Sequence, residues 1–475
     1  MADRYWLASL GCPKNQVDSD KLEGVLASEG CTKAHRPQDA DIIVVNTCAF
    51  IEAAREESIA AILELADAKR EDARLVVTGC MAERYGNMLT GSMPEIDMVA
   101  GFGVPVTLRT RPGKTPNMDL LELPRPPTAS PWAYVKIAEG CDRKCGFCAI
   151  PSFRGPQRSR TKEAIIDEIT SLGAGVREIV LVAQDLASWG MDVSASRQLR
   201  ARAIRQPIID LIDDLRGRVE RLRLLYIYPS AITKEFIEAV CATGIPYFDL
   251  SLQHCSPSLL RRMRRSGSRD RFLRLVESIR SIEPNAILRS SFVVGYPGET
   301  DEDHAMLLDF LEKVSLDWVG FFPFSLEEGT YAAGLDSQVP AELAMERQRE
   351  CSAVQETIMT VRRASHLGQT VEVLVDSPGE SRSYMEAPEI DGVIQVPRTL
   401  KVGTIVPVVI TGLQGSDLIA RPAKHLATPQ TEVVNVAEGN TVGDTVGDAL
   451  SNGVNKAGGS IGNSSTYDDA RRSWS

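Results

Sequence analysis

The chain has 475 residues, 43% of them hydrophobic and 25% charged, with a formal net charge of −11. That length exceeds what one ordinary core serves, so about three domains are expected. The acidic balance does not invite phosphate globally and suits a basic protein partner. The opening MADRYWLASLGC lacks a signal peptide's apolar core, and no run nears the roughly 20 apolar residues of a membrane helix; a cytoplasmic protein is expected.

Residues 1–115 alternate short apolar strands with helices. Tyr5–Leu10, Asp41–Asn46 and Arg74–Thr78 read as strands, with helices over Asp20–Ser28 (Leu22, Val25 and Leu26 on one face) and Glu52–Ala68 (Ile59, Ile62, Leu63). That alternation predicts a parallel α/β sheet. A Pro-rich linker, 116–131, follows. From 132 to 365 the alternation resumes. Ala133–Ala138, Glu178–Ala183, Arg223–Tyr228, Tyr247–Leu252, Leu288–Val294 and Val319–Phe324 read as strands, separated by helices such as Lys162–Leu172 and Asp303–Lys313. Six such units predict a partial (β/α) barrel. Between 366 and 424, Thr370–Val375, Gly392–Val396 and Ile405–Thr411 are Val/Ile-rich and separated by Gly and Pro, which predicts a small antiparallel β barrel. Residues 425–475 are rich in Gly, Ser, Asn and Thr, and a disordered tail is expected there.

Ten cysteines are too sparse for a disulfide scaffold. In a reducing compartment such residues more often serve metals or catalysis, or are buried. The run EGCDRKCGFCAIP places Cys141, Cys145 and Cys148 in C-x3-C-x2-C spacing just after the first barrel strand. Three thiolates in one loop can wrap a 4Fe–4S cube and leave one iron open. An open iron can chelate the amino and carboxylate groups of S-adenosylmethionine and pass it an electron. Structural zinc, the competing reading, normally wants four protein ligands. With Phe147 before the last cysteine, the motif resembles that of the radical S-adenosylmethionine superfamily. The resemblance implies that Phe147 packs by the adenine.

Cys12, Cys48 and Cys80 are dispersed, yet each closes a predicted strand: ASLGC, VVNTC and VTGC. Parallel strands bring their carboxyl ends to one rim, where ligand sites of α/β sheets lie. A second 4Fe–4S cluster and three unrelated core cysteines are both compatible with that placement. The flanks SLGCPKNQVDSD, NTCAFIEAAREES and GCMAERY resemble the amino-terminal domain of the methylthiotransferase family. So do KIAEGCDRKCGFCAIPSFRG, LVAQDLASWG, SLQHCSPSLLRRM, VVGYPGET, FPFSLEEGT and EAPEIDG farther on, and the C-terminal barrel resembles a TRAM domain. The resemblance covers residues 4 to about 424. Pro13, Lys14 and Asn15 match the branch that modifies a ribosomal protein; the tRNA-modifying branch usually has Gln-Met-Asn there.

The resemblance implies two 4Fe–4S clusters and S-adenosylmethionine used twice: once to methylate a sulfur on the Cys12/Cys48/Cys80 cluster, once as the source of a 5′-deoxyadenosyl radical at the Cys141/Cys145/Cys148 cluster. The implied target is the β-carbon of an aspartate in the twelfth small-subunit ribosomal protein, free or on the ribosome; adenosine in tRNA is the alternative. A flavodoxin- or ferredoxin-like reductant and a monomeric enzyme are expected. Gln184 and Asp185 close the second barrel strand, where relatives contact S-adenosylmethionine. Gln253 and His254 close the fourth and read as pocket-lining or, for His254, structural. Arg289 needs an anion, either a cofactor carboxylate or a structural Asp or Glu. Gly295, with Pro297 and Gly298, forms a turn that would admit the cofactor. Lys14 reads as a surface lysine or an aid to the second cluster. Cys31, Cys241, Cys255 and Cys351 read as packing residues.

Arginines at 197, 200, 202 and 205, and at 261, 262, 264 and 265, read as solvated helix faces that could touch ribosomal RNA. Between Gly368 and Lys424 seven acids (Glu372, Asp376, Glu380, Glu386, Glu389, Asp391, Asp417) face five bases (Arg382, Arg398, Lys401, Arg421, Lys424). A tRNA-gripping barrel should be basic; an acidic one suits a basic ribosomal protein.

Overall fold

The structure, a computed structural model, describes residues 3–106, 119–192 and 206–423. The expected tail and the arginines at 197–205 lie outside the described residues. No helix among the described residues is long and apolar enough to cross a membrane.

The amino-terminal sheet contains β1 (Arg4–Ser9), β2 (Thr32–Lys33), β3 (Ile42–Thr47), β4 (Arg74–Gly79) and β5 (Met98–Ala100), all parallel in the order β2-β1-β3-β4-β5. Every residue of β3 is buried, as expected of a central strand covered on both faces. The first helix begins at Pro13, seven positions before the apolar periodicity starts, and ends at Ser28. Cys12 sits at its N-cap and Pro13 supplies the fixed φ that suits a first turn. The periodicity misses this turn because its buried face is polar: Lys14, Asn15, Asp18 and Ser19 are all shielded.

The central strands are β6 (Trp132–Lys136), β9 (Glu178–Val182), β10 (Arg221–Leu224), β11 (Tyr247–Gln253), β12 (Ile287–Val294) and β13 (Trp318–Pro323). They form two parallel three-stranded sheets, β10-β9-β6 and β11-β12-β13, joined by a bridge between Ile227 and Leu250. The result is an open arc of six parallel strands. The third strand ends at Leu224 rather than running to Tyr228, because Tyr226 turns left-handed (φ 64°) and gives its N–H to Asp249 Oδ2 (2.8 Å). An antiparallel pair of two-residue strands, β7 (Ala138–Glu139) and β8 (Arg158–Ser159), brackets the C-x3-C-x2-C loop.

The last unit is a closed barrel of β14 (Thr370–Ser377), β15 (Glu380–Arg382), β16 (Ile394–Gln395), β17 (Ile405–Gln414) and β18 (Asp417–Pro422). Four of its five pairings are accounted for by antiparallel neighbours; β16 and β18 run parallel. It caps the amino ends of the central strands. Glu178 takes Arg223 (2.7 Å) and Arg382 (3.0 Å), Tyr134 Oη donates to Pro388 O (2.7 Å), and Trp318 Nε1 donates to Met385 O (2.8 Å). This docking corrects the barrel's charge count as a guide to its surface. Asp376 is bound to Arg382, Glu386 to Arg363, and Asp391 to Tyr247 and Arg289, and Arg382 is itself buried, so the seven acids and five bases do not all reach the outer face.

Candidate functional site

The C-x3-C-x2-C loop leaves β7 through Gly140 (φ 76°), where a Cβ would lie 2.5 Å from Gly155 O. Cys141 N donates back to Gly155 O (3.1 Å), closing the loop's base. Its crown is pinned from two sides: Gly146 N donates to Met263 O, and Ala332 N donates to Gly146 O, both at 2.8 Å. All three thiols are partly exposed and free of disulfides. Burial, then the charges of Asp185 and Cys145, push the Cys141 thiol up to about 11 against the pull of the Arg143 amide and guanidinium. Burial and the two neighbouring thiols push Cys148 up to about 12. Cys141 and Cys148 thus both feel the neighbouring thiols, and metal coordination is what would deprotonate them.

Two arginines flank this loop. Arg265 Nη1 donates to Cys145 Sγ (3.1 Å) and Nη2 to Ser251 O. Arg143 Nε pairs with Asp185 Oδ2 (2.7 Å). Their guanidinium groups lie 4.2 and 4.0 Å from the Tyr228 ring centroid. Of the 261–265 arginines, Arg261 and Arg264 are exposed as a solvated face would be, whereas Arg262 is half-buried and Arg265 is buried. Arg265 is buried beside the Cys145 sulfur, Arg264 stacks on Tyr331 (3.6 Å), and Arg262 donates to Pro297 O (3.0 Å).

Cys12, Cys48 and Cys80 stand at the carboxyl ends of β1, β3 and β4. Close approach of those ends depends on the glycines that precede two of them. Gly11 (φ 85°) and Gly79 (φ 88°) adopt the left-handed region, and a Cβ would lie 2.7 Å from Cys48 Cβ or 2.5 Å from Thr47 O respectively. Asn15 ties the rim together, donating Nδ2 to Leu10 O (2.7 Å) and Thr47 O (3.1 Å). Cys12 and Cys80 both lie at helix N-termini, which favour a thiolate. Burial works against the Cys12 anion, but Lys14, Arg154 and the Asn15 and Lys14 amides hold its thiol below the usual range. Cys48 and Cys80 are pushed up, first by burial and then by neighbouring thiols. Lys14, expected at the surface, is buried with Nζ 3.1 Å from the Tyr226 ring centroid.

Between the trios lies a buried ionic network that sequence reasoning missed. Arg154 Nη1 donates to Glu139 Oε1 (2.9 Å) and Asp18 Oδ2 (3.2 Å); its Nη2 donates to Cys80 Sγ (3.0 Å) and Asn15 Oδ1 (3.2 Å). Lys136 joins Asp18 to Glu139 (2.6 Å to the latter). Gln184 Nε2 donates to Glu139 Oε1 (2.6 Å). Arg154 sits in the run IPSFRG just beyond Cys148, and that position was the available signal. A second clamp, Glu327, accepts Arg55 and Arg84 at 2.6 Å each and holds the amino-terminal sheet on the central arc.

The remaining expected site residues separate into two groups. Asp185 pairs with Arg143 of the C-x3-C-x2-C loop, and Gln184 Oε1 and Asp185 Oδ1 are buried acceptors without a donor. Such orphaned acceptors fit the hydroxyl and ammonium donors of S-adenosylmethionine. Phe147 is half-buried against the central core, and Gln253 is half-buried at the end of β11 with φ 71°. Arg289 and Gly295 have partners within the protein. Arg289 pairs with Asp249 (3.0 Å) and Asp391 (3.5 Å), two protein carboxylates. A Cβ on Gly295 would meet Ala344, and the Gly295 N–H is held by Glu299. His254 is fully buried, its Nδ1 accepting Ser256 N (3.0 Å) and its Nε2 3.6 Å from Glu299. Cys255 and Cys351 are core residues.

Among the described residues no three Cys, His, Asp or Glu side chains converge on a single metal ion. A mononuclear zinc site needs that convergence. A cube binds each thiolate through a different iron and spreads its ligands more widely. The donor sets, three free thiols each beside a buried guanidinium, fit such clusters.

Comparison with known proteins matches three family models: Uncharacterized protein family UPF0004 over residues 4–101, the Radical SAM superfamily over 135–311, and the TRAM domain over 367–422. Among curated proteins, the ribosomal protein uS12 methylthiotransferase RimO of Moorella thermoacetica is 42% identical, with 83% of this chain and 93% of that protein covered. Those of Kineococcus radiotolerans (37%; 88% and 96%) and Aquifex aeolicus (38%; 88% and 97%) are also similar. A solved structure of the radical S-adenosylmethionine methyltransferase TsrM from Kitasatospora setae aligns at a TM-score of 0.45 and 17% identity, covering 68% of this chain and 72% of that one.

Proposed function

The chain belongs to the RimO family of ribosomal protein uS12 methylthiotransferases, and from that premise we propose that it replaces a β-carbon hydrogen of an aspartate in uS12 with a methylthio group. The observation that carries this reading is the pairing of two cysteine trios across one buried network, with Arg154 of the radical loop touching Cys80 of the other trio. The cofactors are 4Fe–4S clusters and S-adenosylmethionine; when bound, they supply the one-electron chemistry and the sulfur that an unactivated C–H carbon requires. In our reading Cys141, Cys145 and Cys148 hold the cluster that binds S-adenosylmethionine, and Cys12, Cys48 and Cys80 hold the auxiliary one.

The chain's own part is placement. Asp185 and Gln184 offer acceptors to the cofactor, and we assign Phe147 and Gln253 to the same site. Arg143 and Arg265 keep positive charge at the radical loop. The Asp18–Lys136–Glu139–Arg154 network fixes the distance between the two trios, so one substrate carbon meets both. We assign residues 1–115 to the auxiliary unit, 132–365 to the radical unit and 366–424 to the TRAM-like barrel. A cytoplasmic monomer supplied by a flavodoxin- or ferredoxin-like reductant completes the proposal. Relatives named for uS12 over most of their length do not favour the tRNA alternative. Mass spectrometry of uS12 and of tRNA nucleosides from a deletion strain tests this. Loss of the modification from uS12 alone is expected; loss from tRNA alone overturns the substrate assignment.

A further inference from the structure

We propose that Arg154 is a positioning residue that sets the reduction potential of the auxiliary cluster, an inference resting on the reading that Cys12, Cys48 and Cys80 hold one. Arg154 ends a short helix, Ile150–Arg154, that begins two residues after Cys148. Its guanidinium is buried and divided in use. Nη1 is anchored by Glu139 and Asp18, while Nη2 faces Cys80 Sγ at 3.0 Å and Asn15 Oδ1 at 3.2 Å. The Phe102 ring covers one face at 4.6 Å. The two carboxylates and the ring leave the group no freedom to turn from the sulfur.

Geometry of this kind has a definite electrostatic consequence. Reduction adds negative charge to a cluster and its thiolates. A fixed N–H donor carrying a full positive charge stabilises that extra charge and raises the potential. Burial keeps the effect from being screened by solvent. Arg154 contacts Cys80 directly and none of the radical-loop sulfurs; Arg265 plays the corresponding part at Cys145 (3.1 Å). The influence of Arg154 should therefore be selective for one cluster, although the residue belongs to the loop that carries the other.

The test is a redox titration followed by electron paramagnetic resonance. It uses reconstituted full-length protein in two backgrounds, C141A/C145A/C148A and C12A/C48A/C80A, so that one cluster is read at a time. In the first background R154Q is expected to shift the oxidised-to-reduced ratio at the parent midpoint about tenfold toward oxidised, about 59 mV for a one-electron couple. R154K should recover part of that shift, since it keeps the charge but loses the fork. In the second background R154Q should leave the midpoint where it was. An unchanged auxiliary midpoint, or equal shifts in both backgrounds, overturns the proposal. If R154Q fails to bind iron, R154K decides: a lowered midpoint supports the role and a parental one refutes it. If the first background binds no iron with Arg154 intact, the auxiliary-cluster reading itself falls and this inference with it.

Discussion

Replacing Lys136 by Met tests whether the buried network holds the two cysteine-bearing units together. Lys136 is fully buried between Asp18 and Glu139. Burial disfavours its charge, yet the two carboxylates raise its pKa overall. Met fills a similar volume but leaves two buried carboxylates with Arg154 as their shared cation (3.2 and 2.9 Å). Breaking a buried pair from one side costs about 3–5 kcal/mol. Because Arg154 remains, the lower end is expected, about 3 kcal/mol, a factor of about 100 in the folding equilibrium. Urea unfolding of the apo-protein, followed by tryptophan fluorescence, reads this; Trp132, Trp189 and Trp318 all report on the central arc. The double variant K136M/D18N should cost clearly less than the sum of its parts, since it removes one orphaned charge. The pH dependence follows the same logic. Burial raises the Glu139 pKa, but Arg154 and Lys136 outweigh it and hold that carboxyl below its usual range. Its contribution is therefore complete above the unfolded value of about 4.3 and lost as pH falls through the depressed folded value. K136M should flatten that acid-side slope. A cost under about 1 kcal/mol, or strict additivity with D18N, would refute the reasoning.

Three further outcomes are expected. Gly79→Ala places a Cβ 2.5 Å from Thr47 O at φ 88° and should cost about 1–3 kcal/mol; iron content should fall toward half, with radical-cluster iron retained, and full loading would count against the strand-end geometry. Asp185→Ala should weaken S-adenosylmethionine binding by about tenfold, roughly the worth of one charge-assisted hydrogen bond, without loss of iron; calorimetry showing unchanged affinity would remove Asp185 from the cofactor site. Ending the chain after Ala423, one residue beyond the TRAM match, should leave unfolding and iron loading as they are, and a clear loss of either would show that the remaining 52 residues contribute.

Much of the fold was legible because apolar periodicity and strand-end cysteines carry their own geometry. The dispersed trio reaches one rim of the sheet because β1, β3 and β4 are adjacent and parallel. What the sequence hid has one physical origin: polar groups buried for the sake of a site. The first turn of the helix Pro13–Ser28 has no apolar face because Asn15 and Asp18 join the network and Lys14 lies over the Tyr226 ring. Arg265 looks like one charge in a solvated run until it is seen donating to Cys145. Arg154 carries no spacing rule that would single it out. Charge counting over the C-terminal barrel is an incomplete guide for a related reason. Asp376, Glu386 and Asp391 are paired inside the docked interface and contribute nothing to the face a partner meets. Arg289 illustrates the limit of reading a buried arginine from sequence: the need for an anion is visible, but Asp249 on the adjacent strand and Asp391, from a loop about 100 residues away, supply it.

The most direct measurement incubates the reconstituted full-length protein with S-adenosylmethionine, a low-potential reductant, a sulfur source and purified uS12, and reads uS12 by tandem mass spectrometry. One methylthio group in place of hydrogen on a single aspartate is expected, absent with either C145A or C48A. Modification that survives C48A, or transfer to tRNA but not to uS12 under the same conditions, would contradict it.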